Sequence, residues 1–400
     1  MSSDNARRRQ GAVRYGPELR VLIVGAGVAG VTLAGLLEQR GFAPVVVDKA
    51  PSDGEEGYVL RLWPAGSRVL KGLGLYPAFW HAGLECTHHN VARSSGELLH
   101  SFSFTQLAAR YGPVVNIYRP DLIALLRSGM RRAIDEGRFR CGVTVWDVAE
   151  THDGVVAMFD DGEEATFDVI VGCDGAHSGL RQLLFDDAVV IDRGMAGWGF
   201  SLPASFVPQA AIVEYCGVGK FFGVYPTRDR VWAFAGVRAP AGSPDPIDSR
   251  VARLRAQFHD FGGLVPRALA TLDRPEAVYH GAYVDVQMAE WFRGRAVLIG
   301  DAAHAVPPGG GMGASLAMES AAVLADELCR ADSACIDLTF QQYVARRRAR
   351  VDRVQARSRL LSNLMFTENR VIARLRNGAM QISVDEQLLD FVETVLVERI

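Results

Sequence analysis

Residues 21–30 read VLIVGAGVAG and place three glycines between a short apolar run and a segment of helical length. The apolar run predicts a buried strand, and residues 28–40 predict a helix that leads to a second strand, APVVVD, at 43–48. Glycines between a strand and a helix let backbone N–H groups at the helix N-terminus face a pyrophosphate. The stretch therefore predicts a βαβ unit that binds a dinucleotide.

The three glycines, Gly25, Gly27 and Gly30, follow the GxGxxG spacing of dinucleotide-binding turns. Asp48 ends the second strand about 20 residues later, where a carboxylate accepts hydrogen bonds from an adenosine ribose. The 400 residues contain no second fingerprint of this kind, so one dinucleotide is predicted to stay bound while any other visits. This favours FAD as the resident cofactor, with NADPH or NADH as a transient electron donor.

The composition is that of a globular chain, with 49% apolar and 22% charged residues, and the length favours two domains. A net charge of -3 argues against nucleic acid or an anionic membrane as partner, because both need a concentrated basic surface. Six cysteines without a CxxC pair predict free thiols in a reducing cytoplasm. The expected oligomeric state is a monomer or a homodimer. The uncharged stretch at 21–37 is short for a membrane span and is broken by four glycines.

Strand and helix patterns alternate along most of the chain, so the predicted fold class is α/β. We expect a Rossmann-like FAD-binding domain with a parallel sheet, interleaved with an antiparallel-sheet substrate domain and followed by a helical C-terminus. The predicted bounds are a disordered tail at 1–18, the FAD-binding domain at 19–70, 111–185 and 286–330, the substrate domain at 71–110 and 186–285, and the C-terminal helices at 331–400.

A second motif, DVIVGCDGAHSGLR, covers residues 168–181. A buried strand ends in Asp174 and Gly175, and Ser178 and Arg181 follow at the start of the next segment. One interpretation is a carboxylate and a guanidinium that flank a ligand-binding glycine turn. The other is an Asx turn followed by Ser178 as an ordinary helix cap. The residues alone leave both open.

A third motif, GDAAHAVPPGGGMG, covers residues 300–313 and follows the apolar strand AVLI. Asp301 lies at the carboxyl end of that strand, where ligands gather in open α/β sheets. The glycines would let a flat ring approach main-chain amides, and the helix from about Met312 would direct its positive end at that ring. His304 is not predicted to bind a metal, because no partner ligand stands at the required spacing.

In this order and at these positions, the three motifs resemble the single-component, group A FAD-dependent aromatic hydroxylases, such as para-hydroxybenzoate hydroxylase and salicylate hydroxylase. The resemblance runs from Leu19 to about Cys329. It implies that the first glycines hold the FAD diphosphate, that Asp174 and Gly175 serve FAD and NAD(P)H, and that Asp301 contacts the ribityl chain. The cofactor-binding residues that it implies are Gly25, Gly27, Val28, Ala29, Gly30, Asp48, Lys49, Arg119, Val145, Asp174, Gly175, Asp301, Pro308, Gly311, Met312 and Gly313.

The sequence departs from the family pattern at three places. Met312 stands where the family often has Gln, and Ser320 stands where it has Asp within Glu-Asp-Ala. Asp48 replaces the commoner Glu. These changes affect hydrogen-bonding details and leave the predicted cofactor unchanged.

The resemblance also implies the chemistry. NAD(P)H would reduce FAD, O₂ would add at flavin C4a, and the hydroperoxide would pass one oxygen atom to a small organic substrate without a metal. The protein would supply position and exclude water. No catalytic base is identified in the sequence, and the choice between NADH and NADPH stays open.

The substrate is expected between the antiparallel sheet and the flavin. For each aromatic candidate, packing in the sheet interior is an equal alternative. Arg61 would face an anionic substrate or the flavin, or else solvent, and the basic helix at 346–357 is predicted to be a solvated face. The candidates for the pocket wall are Tyr58, Arg61, Trp63, Trp198, Phe200, Tyr215, Phe222, Tyr225 and Trp232.

Other functions on the same scaffold remain open at this stage. They are a flavin-dependent reductase or dehydrogenase, a halogenase and a non-catalytic flavoprotein. The halogenase is disfavoured, because the nearest match to its WxWxIP motif is WGFSLP at 198–203, and because Lys71 lies in a helix-like segment too close to the first motif to be the active-site lysine. A phenol, a quinolone, a polyketide ring, an alkene or a Baeyer–Villiger ketone would each suit as substrate.

Overall fold

The computed structural model describes residues 13–51, 57–185, 189–206 and 211–382. Residues 1–12 of the predicted tail and 383–400 of the predicted C-terminal helices lie outside the described residues. The strands are β1 (Val21–Val24), β2 (Val45–Asp48), β3 (Val59–Leu62), β4 (Leu84–Glu85), β5 (His88–Arg93), β6 (Leu98–Ser103), β7 (Val115–Tyr118), β8 (Phe139–Cys141), β9 (Val145–Thr151), β10 (Gly154–Phe159), β11 (Glu164–Phe167), β12 (Val169–Gly172), β13 (Val189–Leu202), β14 (Ala211–Cys216), β15 (Lys220–Pro226), β16 (Val231–Arg238), β17 (Tyr279–Gln287), β18 (Phe292–Arg293) and β19 (Ala296–Leu298). The helices are α1 (Val28–Gln39), α2 (Pro64–Gly72), α3 (Tyr76–Ala82), α4 (Thr105–Tyr111), α5 (Arg119–Arg127), α6 (Arg131–Asp135), α7 (Gly179–Leu184), α8 (Arg250–Gln257), α9 (Val265–Ala270), α10 (Asp301–His304), α11 (Gly313–Cys329), α12 (Ile336–Met365) and α13 (Arg370–Ile382).

A six-stranded sheet with the order β18-β19-β12-β1-β2-β8 carries the first motif. Its strands are parallel except for β18. All four residues of β1 are buried, as expected for a parallel strand that is covered on both faces. The predicted strand, glycine turn, helix and strand follow one another as β1, α1 and β2. A three-stranded antiparallel ribbon, β11-β10-β9, leads into β12, and β3-β7-β4 form another small sheet.

A seven-stranded sheet with the order β17-β13-β16-β15-β14-β5-β6 forms the second unit. Its neighbouring strands are antiparallel except for β14 and β5, which run parallel. One face packs against α8 and α9 in a core that includes Phe222, Phe258 and Val265, named here the second core. Residues 71–87 were predicted to join this sheet, but Leu73 and Phe79 pack in the core around the six-stranded sheet.

Helix α12 packs along both units. Phe340 and Val351 are buried in the core around the six-stranded sheet. The prediction that residues 346–357 form a solvated face is wrong at Arg347 and Arg350, which are only 2% and 3% exposed. Their guanidinium groups lie 3.0 and 3.1 Å from the buried carboxylate of Glu319 on α11. The opposite charge of Glu319 on another helix therefore allows two of the six arginines at 346–357 to be buried.

Residues 13–18 are ordered, so the predicted disordered tail is wrong for this part. Gly16 donates its N–H to the carbonyl of Ala331 at 3.0 Å, and Arg14 pairs with the buried Asp168 at 3.1 Å. All six cysteines are described and none forms a disulfide, in agreement with the prediction of free thiols. Among the described helices, none is both long and apolar enough to cross a membrane.

Candidate active site

The glycines of the first motif serve two different purposes. Gly25 has a φ of 103°, and a Cβ there would lie 2.5 Å from the carbonyl oxygen of Cys173 on the neighbouring strand. A Cβ on Gly30 would overlap the carbonyl oxygen of Gly25. Gly27 precedes α1 with ordinary backbone angles, and no protein atom lies within 4 Å of its Cβ position. Gly25 and Gly30 thus shape the turn, whereas Gly27 keeps space open at the helix N-terminus.

Asp48 accepts backbone hydrogen bonds from the first glycine turn and from the residues that follow β2. Its Oδ2 accepts the N–H of Ala26 at 2.6 Å, and its Oδ1 accepts the N–H of Ala50 at 2.8 Å. The side chain is half-buried, and the neighbouring Lys49 is exposed. Each carboxylate oxygen keeps a second lone pair, so the acid retains acceptor capacity for a ligand hydroxyl.

The second motif contains an unsatisfied carboxylate oxygen. Asp174 accepts the N–H of Leu180 through Oδ2 at 3.1 Å, but its buried Oδ1 has no hydrogen-bond partner among the described residues. Gly175 has a φ of 84°, and its Cβ position has no atom within 4 Å. Because buried polar atoms are normally hydrogen-bonded, an unpaired oxygen beside open space suits a ligand with donors.

The helix-cap interpretation of the second motif is confirmed, whereas ligand binding at its glycine turn stays a prediction. Ser178 caps α7, since its Oγ accepts the N–H of Arg181 at 2.9 Å. Arg181 is 1% exposed and donates to the carbonyls of Ala302 at 2.8 Å and Ala176 at 2.6 Å. The guanidinium therefore ties the second motif to the third and does not reach a ligand itself.

The third motif places Asp301 at the start of α10. Its carboxylate is accessible to solvent through a cavity, although protein surrounds it on most sides. This partial burial raises the pKa of Asp301, whereas the charge of Arg119 lowers it. The following glycine turn includes Gly311 with a φ of 60° and leads into α11 at Gly313. Met312 is 2% exposed and packs in the core.

His304 is a buried structural residue. A hydrogen bond of 3.1 Å joins its Nε2 to Oγ of Ser320, and the ring packs against Trp291. Burial and, to a smaller extent, the charge of Arg347 lower the pKa of His304 to about 3. Within the described chain, no three His, Cys, Asp or Glu side chains are grouped as metal ligands.

A cavity of about 470 Å³ joins the three motifs to the seven-stranded sheet. Nine of the predicted cofactor-binding residues line it, namely Gly27, Val28, Ala29, Arg119, Gly175, Asp301, Pro308, Gly311 and Gly313. Seven do not line it, namely Gly25, Gly30, Asp48, Lys49, Val145, Asp174 and Met312. Among these, Val145 is buried in the core around the six-stranded sheet, so its side chain is not available to a ligand.

The far wall of the cavity is the face of the seven-stranded sheet that is opposite the second core. Two strand glycines make this wall: a Cβ on Gly199 would lie 2.7 Å from the Trp232 ring, and one on Gly197 would lie 3.1 Å from Tyr283. The aromatic rings therefore lie across the glycine backbone. The aromatic residues of the wall and mouth are Tyr58, Phe221, Tyr225, Trp232, Phe234, Tyr279, Tyr283 and Phe366.

This geometry corrects part of the predicted substrate wall. Tyr58, Arg61, Tyr225 and Trp232 line the cavity, as predicted. The other candidates do not, because side chains alternate between the two faces of a strand and theirs point away. Those in the second core are Trp198, Phe200, Tyr215 and Phe222. Trp63 is buried beside the cavity, where its Nε1 donates to the carbonyl of Gly310 at 3.2 Å.

A polar cluster at the cavity wall joins the predicted residues Arg61 and Tyr225 to Glu214 and His89, which the sequence predictions did not include. Glu214 of β14 accepts the hydroxyl of Tyr225 at 3.0 Å, and its other oxygen lies 2.9 Å from Nε2 of His89. Arg61 approaches the same carboxylate at 3.4 Å. Burial alone would raise the pKa of Glu214, but His89 and Arg61 lower it to about 2. In the sequence AIVEYC, Glu214 lies two positions after Ile212 and therefore on the same face of the strand. This spacing was the only sign in the sequence that Glu214 faces inward.

The residues present fit a flavin dinucleotide. The N-termini of two helices of 12 and 17 residues open on the cavity at Gly27 and Gly313. Open space over Gly27 and Gly175 admits a ligand to main-chain amides, and Asp174 offers an unpaired acceptor. Helix N-termini attract a diphosphate, and Asp301 offers a carboxylate to hydroxyl groups.

The α/β fold and this cavity define a flavin-binding oxidoreductase. A family model described as FAD binding domain matches residues 18–358, and the chain belongs to this family. The chain is 28% identical over 367 residues to the 2-heptyl-3-hydroxy-4(1H)-quinolone synthase of Pseudomonas aeruginosa strain UCBPP-PA14. This match covers 91% of the chain and 94% of that protein. The chain is 30% identical over 366 residues to the 3-amino-4-hydroxybenzoate 2-monooxygenase of Streptomyces cremeus, which covers 86% and 87%.

The solved structures agree on the fold. The structure of Klebsiella pneumoniae HpxO complexed with FAD and uric acid superimposes with a TM-score of 0.85 at 23% identity, and the match covers 96% of this chain and 98% of that one. The predicted family, the FAD cofactor and the class of FAD-dependent monooxygenase are thereby confirmed.

Proposed function

We propose that this monooxygenase inserts one oxygen atom from O₂ into a planar aromatic or heteroaromatic ring, with NADPH or NADH as electron donor. The observation that carries the proposal is one continuous cavity, which runs from the glycine turns that fit FAD to an aromatic wall. Flat rings with exposed edges pack well against Trp232 and its neighbours. Relatives named for a quinolone and an aminohydroxybenzoate act on rings of this shape.

The proposal assigns a role to each sheet. The six-stranded sheet with residues 19–87, 111–185 and 286–330 would form the FAD-binding domain. The seven-stranded sheet would form the substrate domain, in which β5 and β6 come from an earlier part of the chain than the other five strands. This division differs from the predicted one at 71–87, whose apolar side chains pack with α1 and α11.

The residues of the chain would bind FAD and shield the reacting ring from water. The N-termini of α1 and α11 would face the diphosphate and the ring, and Asp301 and Asp48 would accept hydroxyl hydrogen bonds. Bound FAD supplies the electron transfer from NAD(P)H and the activation of O₂. Met365 and Phe366, at the C-terminal end of α12, line the cavity and would exclude water from the reacting ring.

The test is stopped-flow reduction of the bound flavin by NADPH and by NADH, with and without a panel of aromatic, quinolone and polyketide compounds. We expect at least one compound to accelerate reduction and to leave with a single added oxygen atom. Fast reduction without any compound, and no oxygenated product, would instead identify a reductase.

A matched pair of variants separates the two faces of the sheet. Trp232→Leu alters the cavity wall, whereas Phe222→Leu alters the second core on the opposite face. We expect Trp232→Leu to raise KM for the stimulating compound about tenfold at unchanged FAD content. Phe222→Leu is expected to lower stability by about 1–2 kcal/mol and to leave KM unchanged. Equal effects on KM would argue against a substrate site at this wall.

A further inference from the structure

The sheet end of the cavity is electrically balanced. Its charged lining residues within the described chain are Arg61 and Glu214, whose groups lie 3.4 Å apart. Both side chains are mostly buried, at 12% and 14% exposure. The other charged lining residues, Arg119 and Asp301, belong to the cofactor motifs at the opposite end. The lining of the substrate end therefore contains one cation and one anion that pair with each other, and the imidazole of His89, 2.9 Å from Glu214, is not part of this lining.

Glu214 is fixed as an ionised acceptor. The Tyr225 hydroxyl donates to Oε1 at 3.0 Å, His89 lies 2.9 Å from Oε2, and Arg61 adds its charge. These partners lower the pKa of Glu214 to about 2 despite its burial. A ligand carboxylate at this wall would meet a like charge in a partly desolvated site and would have to compete for Arg61.

Arg61 has capacity for a neutral acceptor. Its guanidinium lies 5.8 Å from the Trp63 ring centroid and 5.7 Å from that of Tyr225, so stacking holds it in place. Its buried Nε has no hydrogen-bond partner among the described residues. A carbonyl or hydroxyl oxygen suits such a donor without adding charge.

We propose, on the basis of the function proposed above, that Glu214 and Arg61 select an uncharged ring that offers an N–H or O–H donor to Glu214 and an oxygen acceptor to Arg61, and that they disfavour carboxylated aromatic acids. The substrate class is thus the neutral hydroxy- or oxo-heteroaromatic ring. Glu214 acts as the specificity residue, because its charge removes the free cation that an aromatic acid needs.

Binding to the FAD-loaded enzyme tests this inference without requiring turnover. The probes are two matched pairs, a 4-quinolone with its 2-carboxylate and phenol with 4-hydroxybenzoate, and the readout is the change in flavin absorbance and fluorescence on titration. We expect each neutral compound to bind at least about tenfold more tightly than its acid. Equal or tighter binding of the acids would overturn the inference.

The variant Glu214→Gln keeps the side-chain shape and removes the charge, so Arg61 becomes free to pair with a carboxylate. We expect its affinity for the acids to rise about tenfold and its preference for neutral rings to shrink or reverse. The control is Glu97→Gln, an exposed carboxylate outside the cavity, which should keep the wild-type preference. A merely structural Glu214 would weaken both ligand classes alike, and that result would also overturn the inference.

The experiments distinguish a failure of the proposed monooxygenase function from a failure of the proposed selection of neutral rings. If Glu214→Gln does not retain FAD, the wild-type comparison of neutral rings and acids still decides the inference. If acids bind more tightly and are oxygenated, the monooxygenase function stands and the selection of neutral rings is wrong. If neutral rings bind more tightly but no compound gains oxygen, the selectivity stands as binding and the proposed function is wrong.

Discussion

The same substitution at two glycines of one turn should have opposite consequences. Gly25→Ala forces a Cβ onto a backbone with a φ of 103° and to within 2.5 Å of the Cys173 carbonyl oxygen. A positive φ costs a residue with a Cβ about 1–2 kcal/mol, and overpacking against backbone adds about 1–3 kcal/mol. The expected loss in the free energy of unfolding is therefore about 2–5 kcal/mol.

Gly27→Ala meets none of these obstacles. The backbone at Gly27 has a φ of -74° and a ψ of -174°, which any residue adopts, and its Cβ position has no neighbour within 4 Å. We expect the stability of the FAD-free protein to stay within about 1 kcal/mol of wild type, because a slightly poorer helix cap is offset by a less flexible unfolded chain. The methyl group would instead enter the space proposed for the FAD diphosphate and weaken FAD binding about 10- to 100-fold.

The assay compares both variants with wild type after removal of FAD. Urea unfolding gives the free energy of unfolding of each apoprotein, and fluorescence quenching on titration with FAD gives the dissociation constant. The FAD-free comparison is essential, because bound cofactor itself adds to apparent stability. The reasoning is refuted if Gly27→Ala binds FAD as tightly as wild type, or if it loses as much apoprotein stability as Gly25→Ala.

Three further results are expected. Asp301→Ala should weaken FAD retention markedly, measured as the flavin-to-protein absorbance ratio after purification, and an unchanged ratio would contradict the assignment of Asp301 to the ribityl chain. Glu319→Gln should lower the free energy of unfolding in urea by about 2–4 kcal/mol, because two buried guanidinium groups lose their counter-charge, whereas the exposed Glu290→Gln should change it by less than about 0.5 kcal/mol. His304 has a pKa of about 3 when folded, against its usual 6.5, so it contributes stability above pH 6.5 that is lost as the pH falls toward 3. Between these two pH values the unfolded state binds one more proton than the folded state, so the free energy of unfolding falls by about 1.4 kcal/mol per pH unit as the pH is lowered. His304→Asn should therefore flatten the dependence of Tm on pH. An unchanged dependence would contradict the inferred burial of His304.

Local sequence patterns were sufficient for the βαβ unit and the three glycine motifs, because strand, turn and helix preferences act over a few residues. They were not sufficient for the substrate wall. Phe222 and Tyr225 lie three positions apart on β15, so the alternation of a strand forbids both from facing one cavity. Alternation thus separates the two sets of side chains, but only the packing of α8 and α9 decides which set is buried in the second core.

The buried arginines show a different limit of sequence reasoning. A run of basic residues on a helix is usually solvated, and nothing local distinguishes Arg347 from its exposed neighbours. Its partner Glu319 is 28 residues away on α11 and is itself fully buried. Such a pair depends on the crossing of two helices, which a single-sequence pattern does not contain.

Contacts from distant elements hold residues 302–305, which lead into the glycine turn of the third motif. A glycine-rich loop has the largest conformational freedom to lose, so its shape must be imposed from outside. Arg181 donates to the carbonyl of Ala302, Gln355 of α12 donates to that of Ala305 at 3.2 Å, and His304 is joined to Ser320. Ser320, the departure from the family's Asp, thus gives His304 an uncharged partner. An aspartate there would favour the protonated imidazole beside Arg347. The segment that precedes the glycine turn is therefore held by α7, α11 and α12.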